Sequence, residues 1–359
     1  MTATVGLDIG TSAVRAAVLQ GGKKGAPVLR KYGEVGLPKG AIEGGEIVDP
    51  AVVQDAIARL WKTSKLPKKG VVMGLANQRI IVRRVEVPDM SDDALKAALP
   101  QHVAEHIPMA VEDAVLDYMP LDDIPAEGDQ EARRAVLVVA AQKEMVNQYV
   151  DVVEAAGVRV EGVDLQAFAL VRAVFGARIP LGDAPVAVVS LGAGMTQVLV
   201  TKDGSLRFLR LIPIGGNDFT KALSTGLAVP PEEAEEIKRR VGVHAEPAAG
   251  GGSLPDDKAR DLLTEQASQL IEEIRGTVEF YNAQQGGDSP VGEVMISGNA
   301  ARLPHLATRM TRVLDVPVVP VKLLGESIQV GKTGLSDEQL AHAQPVLPVA
   351  VGLAEWGLV

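Results

Sequence analysis

Apolar and polar residues alternate over residues 5–9, VGLDI, and a second apolar run follows at residues 13–19. The interruption between the two runs is Gly-Thr-Ser at residues 10–12. Alternation with a period of two is typical of a half-buried strand, and a short glycine-containing break indicates a tight turn. The start of the chain therefore predicts a β-hairpin whose bend carries the carboxylate of Asp8 and two hydroxyls.

Strand-like and helix-like patterns alternate along the rest of the chain, which predicts a mixed α/β protein. Residues 50–64 predict a helix that Asp49 caps and Pro50 opens. The patterns further predict a strand over 27–40, a buried strand at 70–77 and a three-strand meander at 184–216. They also predict helices over 217–287 with a flexible connector at 246–257, a strand–turn–helix–strand unit at 292–321 and a packed helix at 346–358.

The pattern changes at residues 83–162, which predict a small α/β subdomain inserted into a larger one. A helix is expected to begin near Ser91, because two aspartates follow it and suit the first turn of a helix. Residues 121–134 predict a polar loop between two strands, residues 135–142 a strand, and residues 143–157 a helix.

The first hairpin has a second copy. Residues 8–18, DIGTSAVRAAV, overlay residues 190–200, SLGAGMTQVLV, so that Gly10 falls on Gly192 and Arg15 falls on Gln197. Each copy predicts strand, tight turn and strand, and each is followed by a further strand and then helix. This internal repeat predicts two similar lobes with a cleft between them.

Two facing hairpin turns can clamp the phosphates of a nucleotide with backbone N–H groups, and glycine allows the close approach that this needs. Thr11 and Ser12 would add hydroxyl donors, and Arg15 would bring a positive charge to a phosphate oxygen. Asp8 would repel phosphates directly, so its expected role is to hold Mg²⁺ through water. A single Gly-Thr-Ser bend is also an ordinary hairpin turn, and the second copy favours the phosphate interpretation.

Two further motifs extend this prediction. Residues 293–306, EVMISGNAARLPHL, predict a strand that ends in Gly298-Asn299 and offers backbone to an adenine, although common strand–helix turns look similar. Glu235 and Lys238 lie three residues apart on one predicted helix face and could reach the ribose and adenine. Such a pair is more often a solvated surface pair.

Composition narrows the function classes. The net charge of −10 argues against nucleic-acid binding, and the absence of cysteine excludes disulfides and thiolate metal sites. We find no signal or membrane-spanning pattern, so we expect a soluble protein that contacts membranes only through partners. His102 and His106 are four residues apart, but no third ligand is evident, which favours a solvated helix face over a zinc site.

These motifs, in this order, resemble the actin-like ATPase superfamily, which includes actin, DnaK-type chaperones, sugar kinases and the division protein FtsA. DIGTSAVR resembles its first phosphate motif, SLGAGMT its second, ISGNAARLPHL its adenosine motif and IPIGGNDFTKAL its Gly-Gly segment. Residues 163–173 resemble its first connecting helix. In actin such a helix carries a glutamine near the attacking water, and Gln166 falls at that position.

Within the superfamily, the chain resembles the PilM family of type IV pilus assembly proteins in LPKGAIEGGEIVDP, LPQHVAEHIPMAVEDAVLDY, IPIGGNDFT and AVGLA. This resemblance implies an α/β, two-lobed actin-like ATPase fold of the duplicated ribonuclease H-like type, with the inserted 1C subdomain of FtsA and PilM. The implied divisions are 1–82 (1A), 83–162 (1C), 163–185 (connecting helix), 186–215 (2A), 216–289 (2B), 290–330 (2A again) and 331–359 (C-terminal helix returning to the first lobe).

The motifs and the resemblance together imply ATP or ADP with Mg²⁺ in the cleft. The catalytic candidates are Asp8 and Gln166, with Asp8 holding Mg²⁺ through water. The candidate nucleotide contacts are Gly10, Thr11, Ser12, Arg15, Gly192, Gly194, Met195, Thr196, Gly215, Gly216, Glu235, Lys238, Gly298, Asn299 and Arg302.

The resemblance also implies a cytoplasmic scaffold recruited to the inner membrane. It would bind the N-terminal peptide of a PilN-like membrane protein in a groove beside the inserted subdomain, with candidate residues at 95–107. Other pilus platform and motor proteins are further candidate partners.

Two positions depart from the superfamily pattern. Ser190 stands where the second phosphate motif usually has an aspartate that helps to hold Mg²⁺, and Asn299 stands where a second glycine is usual. Asparagine tolerates unusual backbone angles, whereas a serine contributes no charge. We therefore expect nucleotide binding and at most slow hydrolysis.

Two alternatives stay open at this point. An actin-fold sugar kinase would need a carboxylate base in the cleft, for which Asp164 is the nearest candidate besides Asp8. An FtsA-like filament protein would be expected to end in a basic amphipathic helix, and this chain has no basic residue after Lys332.

Overall fold

The computed structural model describes residues 3–21, 25–126, 131–176, 184–245, 255–284 and 289–356. The strands are β1 (Ala3–Ile9), β2 (Ala13–Gln20), β3 (Val28–Gly36), β4 (Ile42–Glu43), β5 (Glu46–Ile47), β6 (Val71–Leu75), β7 (Ile81–Pro88), β8 (Ala114–Ile124), β9 (Arg133–Gln142), β10 (Val160–Leu165), β11 (Val186–Leu191), β12 (Thr196–Lys202), β13 (Ser205–Ile212), β14 (Glu293–Ser297), β15 (Val318–Pro320) and β16 (Gln329–Val330). The helices are α1 (Pro50–Ser64), α2 (Asp92–Val103), α3 (Lys143–Ala155), α4 (Gln166–Phe175), α5 (Gly216–Leu227), α6 (Pro231–Val241), α7 (Pro255–Gln284), α8 (Leu306–Leu314), α9 (Asp337–Ala343) and α10 (Leu347–Glu355).

The first lobe is built on a six-stranded sheet with the order β10-β6-β1-β2-β3-β16. Helix α1 begins as its sequence predicts, with the Asp49 side chain accepting a hydrogen bond from the backbone N–H of Val52. Helix α10 packs on β1, β2, β6 and α4. Its contact with β1 is so close that a Cβ on Gly6 would lie 1.9 Å from the carbonyl oxygen of Ala350. Helix α10 therefore packs directly on the sheet of the first lobe.

The second lobe is built on a five-stranded sheet with the order β13-β12-β11-β14-β15, and helices α5 to α8 complete it. Its core is a separate cluster of aliphatic residues, among them Val189, Val198 and Ile271. The chain has few aromatic residues, and both lobes bury mainly Val, Leu, Ile and Ala. Burial of this apolar surface stabilises each lobe.

The internal repeat is confirmed by the register of the two hairpins. Asp8 pairs with Arg15 across β1 and β2, and Ser190 pairs with Gln197 across β11 and β12. The turns close with equivalent hydrogen bonds of 3.0 Å, from Gly10 N to Ala13 O and from Gly192 N to Met195 O. Each hairpin also has a parallel neighbour, β6 for β1 and β14 for β11.

A three-stranded sheet with the order β7-β9-β8, here called the small sheet, occupies residues 81–142. Helix α2 covers it and buries Leu95, Leu99 and Val103 in a core of their own. Helix α3 packs against α1, and β10 pairs with β6 of the first lobe. The limits of the inserted subdomain at 83–162 stay a prediction.

Two predicted loops are shorter than expected. Leu121–Ile124 extends β8, where Asp123 pairs across the strands with Arg134, so polar residues here face solvent from an edge strand. In the predicted connector at 246–257, residues 246–254 lie outside the described residues. Helix α7 already begins at Pro255, because a proline followed by two aspartates suits a helix start.

Candidate functional site

The two hairpin turns face each other across a cleft between the lobes. The cleft holds about 80 Å³ of free volume. Of the candidate nucleotide and catalytic residues, those that line it are Asp8, Gly10, Thr11, Ser12, Arg15, Gln166, Gly192, Gly194, Met195, Gly298 and Asn299. The fold therefore brings the first phosphate motif, the second phosphate motif and the adenosine motif to one place.

Contacts between the lobes close this cleft. A Cβ on Gly194 would lie 2.8 Å from Oγ1 of Thr11, so the second turn touches the first at a position where there is no room for a side chain. Gln166, the first residue of α4, connects both hairpins. Its Nε2 donates to Oδ1 of Asp8 at 2.9 Å, and its Oε1 accepts from Nε2 of Gln197 at 3.1 Å.

The charges in the cleft come mainly from the first hairpin. Asp8 and Arg15 are both 6% exposed, and Nη1 of Arg15 lies 3.8 Å from Oδ2 of Asp8. Nη2 of Arg15 donates to Oε1 of Glu34 at 3.0 Å. Burial raises the pKa of Asp8 to about 6, while the nearby Arg15 opposes this rise.

Asp8 fits the predicted role of a water-mediated Mg²⁺ ligand. Among the described lining residues it is the one carboxylate, and no group of three or more His, Cys, Asp or Glu that could hold a metal occurs in the described part of the chain. A lone carboxylate suits Mg²⁺, which keeps several waters and takes further oxygens from phosphates.

His102 lies near the end of α2, whereas His106 lies beyond it, so the helical i, i+4 pair does not form.

Three predicted residues lie directly behind the second turn instead of lining the cleft. Oγ1 of Thr196 donates to the carbonyl of Ile214 at 2.8 Å. The backbone N–H of Gly216 donates to the carbonyl of Gly192 at 2.9 Å. A Cβ on Gly215 would lie 2.5 Å from the carbonyl oxygen of Ala193. These residues hold the second turn in its position.

Glu235 and Lys238 form a hydrogen-bonded cluster next to this support. Nζ of Lys238 donates to the carbonyl of Gly216 at 3.0 Å and to Oε2 of Glu235 at 2.6 Å, and Oγ1 of Thr220 also donates to Glu235. Burial would raise the pKa of Glu235, but the hydrogen bonds from Lys238 and Thr220 together lower it. Burial lowers the pKa of Lys238. The pair is thus part of the lobe's internal bonding rather than a solvated surface pair.

The adenosine-type turn is hydrogen-bonded to the segment that precedes α10. Gly298 has a φ of +90°, and a Cβ there would lie 2.3 Å from the carbonyl oxygen of Leu191, so glycine is required. Its N–H donates to the carbonyl of Pro345 at 2.6 Å. Arg302, predicted as a nucleotide contact, is not among the described residues that line the cleft, and its side chain donates to the carbonyl and ring of His342.

Several lining residues were not anticipated from the sequence. They come from the β4–β5 region, the residue after β6, the end of β14, and the start of α10 with the two residues before it: Ile42, Gly45, Ala76, Ser297, Pro345, Val346, Pro348 and Val349. Most are apolar, and although Ile42 and Gly45 lie in the stretch that resembles the PilM family, nothing in that stretch indicated that they line the cleft. Ser297, which precedes Gly298, is the exception.

A second cavity of about 480 Å³, here called the rear groove, lies between the small sheet and the two lobes. It is lined by Asp117, Tyr118, Met119, Val139, Asp164, Phe168, Val171, Arg172, Phe175, Gly176, Asp203, Gly204, Ser205, Leu206 and Trp356. Asp164, the candidate kinase base, lies here and pairs with Arg172 at 2.9 Å. The ring of Trp356, which is 47% exposed, packs against Gly162 at one side.

None of the described helices combines the length and the apolar character that a membrane crossing requires.

The buried face of α2, which lies in the candidate partner region 95–107, packs against the small sheet. None of the candidate residues at 95–107 is among the described residues that line the rear groove.

Comparison with known proteins gives the family. The family described as type IV pilus assembly protein PilM matches residues 6–356. The chain belongs to the PilM family. A solved PilM–PilN type IV pilus biogenesis complex superposes with a TM-score of 0.84 at 27% identity, covering 99% of this chain and 98% of the solved one. The predicted PilM family membership is confirmed.

Matches to more distant relatives indicate the same superfamily. The cell division protein FtsA of Bacillus subtilis (strain 168) is 25% identical over 331 residues, which is 83% of this chain and 73% of FtsA. The structure of MreB5 of Spiroplasma citri bound to ADP superposes with a TM-score of 0.55 at 12% identity, over 98% of this chain and 95% of MreB5. PilM, FtsA and MreB5 thus share the actin-like fold, which confirms the predicted fold class.

Proposed function

We infer that this PilM-family protein binds Mg-ATP or Mg-ADP in the interlobe cleft and serves as a scaffold on the cytoplasmic face of the inner membrane. The observation that carries the proposal is the pairing of two equivalent hairpin turns over one cleft, with Asp8 and Arg15 at its base. Backbone N–H groups of such turns suit phosphates, and an arginine adds charge. The likeness to MreB5, solved with ADP, supports the same class of ligand.

Different residues of the cleft would contact different parts of the nucleotide. Thr11, Ser12, Ala193 and Gly194, which follow Gly10 and Gly192 in the two turns, would meet the phosphates with backbone N–H groups. Gly298-Asn299 would meet the adenine. Mg²⁺, when bound, would neutralise phosphate charge, with Asp8 holding one of its waters. Gln166 is fixed by Asp8 and Gln197 and would orient a water near the phosphates. Ser190 offers no second carboxylate, so hydrolysis is expected to be slow.

We infer further that the rear groove binds the cytoplasmic N-terminal segment of a PilN-like inner-membrane protein. The structural match to a PilM–PilN complex supports this partner. The groove combines apolar side chains such as Met119, Phe168 and Trp356 with exposed carboxylates at Asp117 and Asp203. That lining suits an extended peptide with apolar residues and a basic group. Other pilus platform and motor proteins would meet the protein at surfaces outside this groove.

Titration calorimetry tests the nucleotide site. Mg-ATP and Mg-ADP should bind, and Asp8→Ala should weaken binding chiefly in the presence of Mg²⁺. Absence of binding to the nucleotide-free protein at millimolar concentration would overturn the proposal. The sugar-kinase alternative predicts phosphorylation of a sugar panel, which we do not expect, because Asp164 is ion-paired in the rear groove.

Fluorescence anisotropy tests the peptide site with a labelled synthetic peptide of the PilN-like N-terminus. Trp356→Ala should weaken binding at least tenfold, which corresponds to about 1.4 kcal/mol. Phe280→Ala is the matched control, since Phe280 is also an exposed aromatic residue, at 52%, and packs on Phe208 away from the groove. Equal effects of the two substitutions would place the peptide elsewhere.

A further inference from the structure

Three residues on neighbouring strands of the first lobe form a row of alternating charge. Asp8 on β1 pairs in register with Arg15 on β2, and Arg15 pairs in register with Glu34 on β3. Residues directly opposite each other on antiparallel strands bring their side chains together on one face of the sheet. Asp8 and Arg15 line the cleft, whereas Glu34 is not among the described lining residues and its side chain is 35% exposed. The row therefore runs from the cleft towards solvent.

The equivalent row of the second lobe is neutral. There Ser190 pairs in register with Gln197, and Gln197 pairs in register with Leu211. The repeat that gives both lobes the same hairpin thus does not account for the charges of the first lobe. Because burying charge costs free energy even when the charges are paired, the charged row is better explained by function than by stability.

Arg15 is shared unequally between the two carboxylates of its row. Its Nη2 donates to Oε1 of Glu34 at 3.0 Å, whereas its Nη1 stays 3.8 Å from Oδ2 of Asp8, which is too far for a hydrogen bond. The hydroxyl of Tyr32, two residues before Glu34 on β3, donates to the other oxygen of Glu34 at 3.0 Å and orients its carboxylate. Glu34 thus holds the guanidinium out of hydrogen-bond contact with Asp8.

This separation concerns one oxygen atom of Asp8. Oδ1 accepts from Nε2 of Gln166 at 2.9 Å, and Oδ2 is the oxygen that faces Arg15. A water of Mg²⁺ would be accepted at this same Oδ2. An arginine that donated to Asp8 with two N–H groups would occupy Oδ2 and neutralise its charge.

The position of Arg15 also leaves it a donor for a ligand. Its Nε is buried and has no hydrogen-bond partner among the described residues, although the side chain lines the cleft. A buried donor without a partner costs free energy, and a phosphate oxygen would satisfy it.

We propose that Glu34 is a positioning residue of the nucleotide site: it keeps Arg15 off Asp8, so that Arg15 is available to the phosphates and Asp8 to Mg²⁺. Without the charge of Glu34, Asp8 is the carboxylate that remains beside Arg15 in the row, and the guanidinium turns to Oδ2. The Mg²⁺ ligand and the phosphate ligand are then lost together. This inference rests on the proposed function, because it needs Mg-ATP to bind in the cleft.

Calorimetric titration with ATP, in Mg²⁺ and in EDTA, measures how much affinity Mg²⁺ adds. Glu34→Gln keeps the shape, removes the charge and should lower this Mg²⁺ gain about tenfold, the effect of about one charged hydrogen bond. Glu34→Asp keeps the charge and should retain most of the gain. Glu86→Gln is the matched control, because Glu86 is a strand carboxylate with the same 35% exposure that pairs with Arg84 and Arg133 in the small sheet. It should keep the full gain.

A double-variant cycle separates positioning from a merely structural role. In the Asp8→Asn protein the carboxylate that competes for Arg15 is gone, so adding Glu34→Gln should cause no further loss of Mg-ATP affinity. A structural role of Glu34 would cause the same loss with and without Asp8. Equal losses in the two backgrounds would therefore overturn the proposal, and so would a Glu34→Asp variant as weak as Glu34→Gln.

The same titrations distinguish this proposal from the proposed function. If the unmodified protein binds Mg-ATP and Glu34→Gln keeps the full Mg²⁺ gain, the positioning role is wrong and the nucleotide site stands. If the unmodified protein does not bind Mg-ATP, both are overturned.

Discussion

Nε2 of Gln166 donates a hydrogen bond of 2.9 Å to Oδ1 of Asp8, although the two residues are 158 positions apart in the sequence. The bond ties the start of α4 to the first hairpin. The side-chain oxygen of Gln166 is held by Gln197 of the second hairpin, so the orientation of its amide is fixed from both sides. A glutamine held in this way is organised in advance to orient a water or a phosphate oxygen in the cleft.

The pKa of Asp8 predicts a pH dependence of nucleotide binding. Burial raises this pKa to about 6, so the carboxylate gains a proton as the pH falls through that value. A neutral carboxyl group holds the waters of Mg²⁺ less well. The Mg²⁺-dependent part of the ATP affinity should therefore weaken between pH 8 and pH 5 in calorimetric titrations. Asp8→Asn should show weak binding at both pH values, and an unchanged pH profile in this variant would refute the role of Asp8.

Ser190 is expected to limit hydrolysis. It is 9% exposed, lines the cleft and pairs in register with Gln197. Ser190→Asp would place a second carboxylate near Mg²⁺, and the turnover of ATP should increase about 10²–10³-fold, by comparison with other groups that stabilise a developing charge. Steady-state phosphate release measures this. Ser190→Ala is the control and should give no increase; brisk hydrolysis by the unmodified protein would contradict the prediction.

The contact between the two turns predicts that a side chain at Gly194 lowers the affinity for nucleotide. A Cβ added there would lie 2.8 Å from Oγ1 and 3.0 Å from Cγ2 of Thr11, so Gly194→Ala forces the turns apart. Nucleotide affinity should fall at least tenfold in calorimetry. Gly276→Ala is the matched control, because a Cβ at this position in α7 meets nothing within 4 Å.

Gly276→Ala should leave nucleotide binding unchanged and should raise the free energy of unfolding by up to about 1 kcal/mol, since alanine is the better helix former. Equal nucleotide affinities for the two alanine variants would show that the turns do not act as a clamp.

Glu355 is predicted to destabilise the folded protein above neutral pH. It is 7% exposed, its Oε2 has no hydrogen-bond partner among the described residues, and burial raises its pKa from 4.5 to about 7, against the opposing charge of Arg172. The folded protein therefore binds this proton more tightly than the unfolded chain does. Its contribution to the free energy of unfolding falls by roughly 3 kcal/mol as the pH rises from 4.5 to above 7.

Glu355→Gln should thus raise the Tm at pH 8 and have little effect near pH 4.5, as followed by circular dichroism. Glu338→Gln, at an exposed position of α9, is the control and should not change the difference between the two pH values. A Tm gain for Glu355→Gln that is equal at both pH values would show that ionisation of this carboxyl is not the cause.

Much of the fold follows from local pattern. The alternation at residues 5–9, the turn glycines Gly10 and Gly192, and the cap of α1 at Asp49 are short-range features that depend on neighbours in the sequence. The repeat at residues 190–200 needed only a comparison of the chain with itself, and it predicted the second lobe. The polar stretch at 121–124 was misjudged, because an edge strand tolerates outward polar residues that look like a loop.

By itself, the sequence determined the two hairpins, the lobes that they begin and the residue types at the cleft, because periodicity and turn chemistry are local. Only the tertiary structure decided which of those residues meet. It placed Gln166 between Asp8 and Gln197, turned Arg302 towards His342, and brought Pro345 to Gly298. It also formed the rear groove from segments more than 200 residues apart, from Asp117 to Trp356. These contacts depend on how the lobes, the small sheet and the C-terminal helix pack, and long-range packing leaves no periodic mark in the sequence.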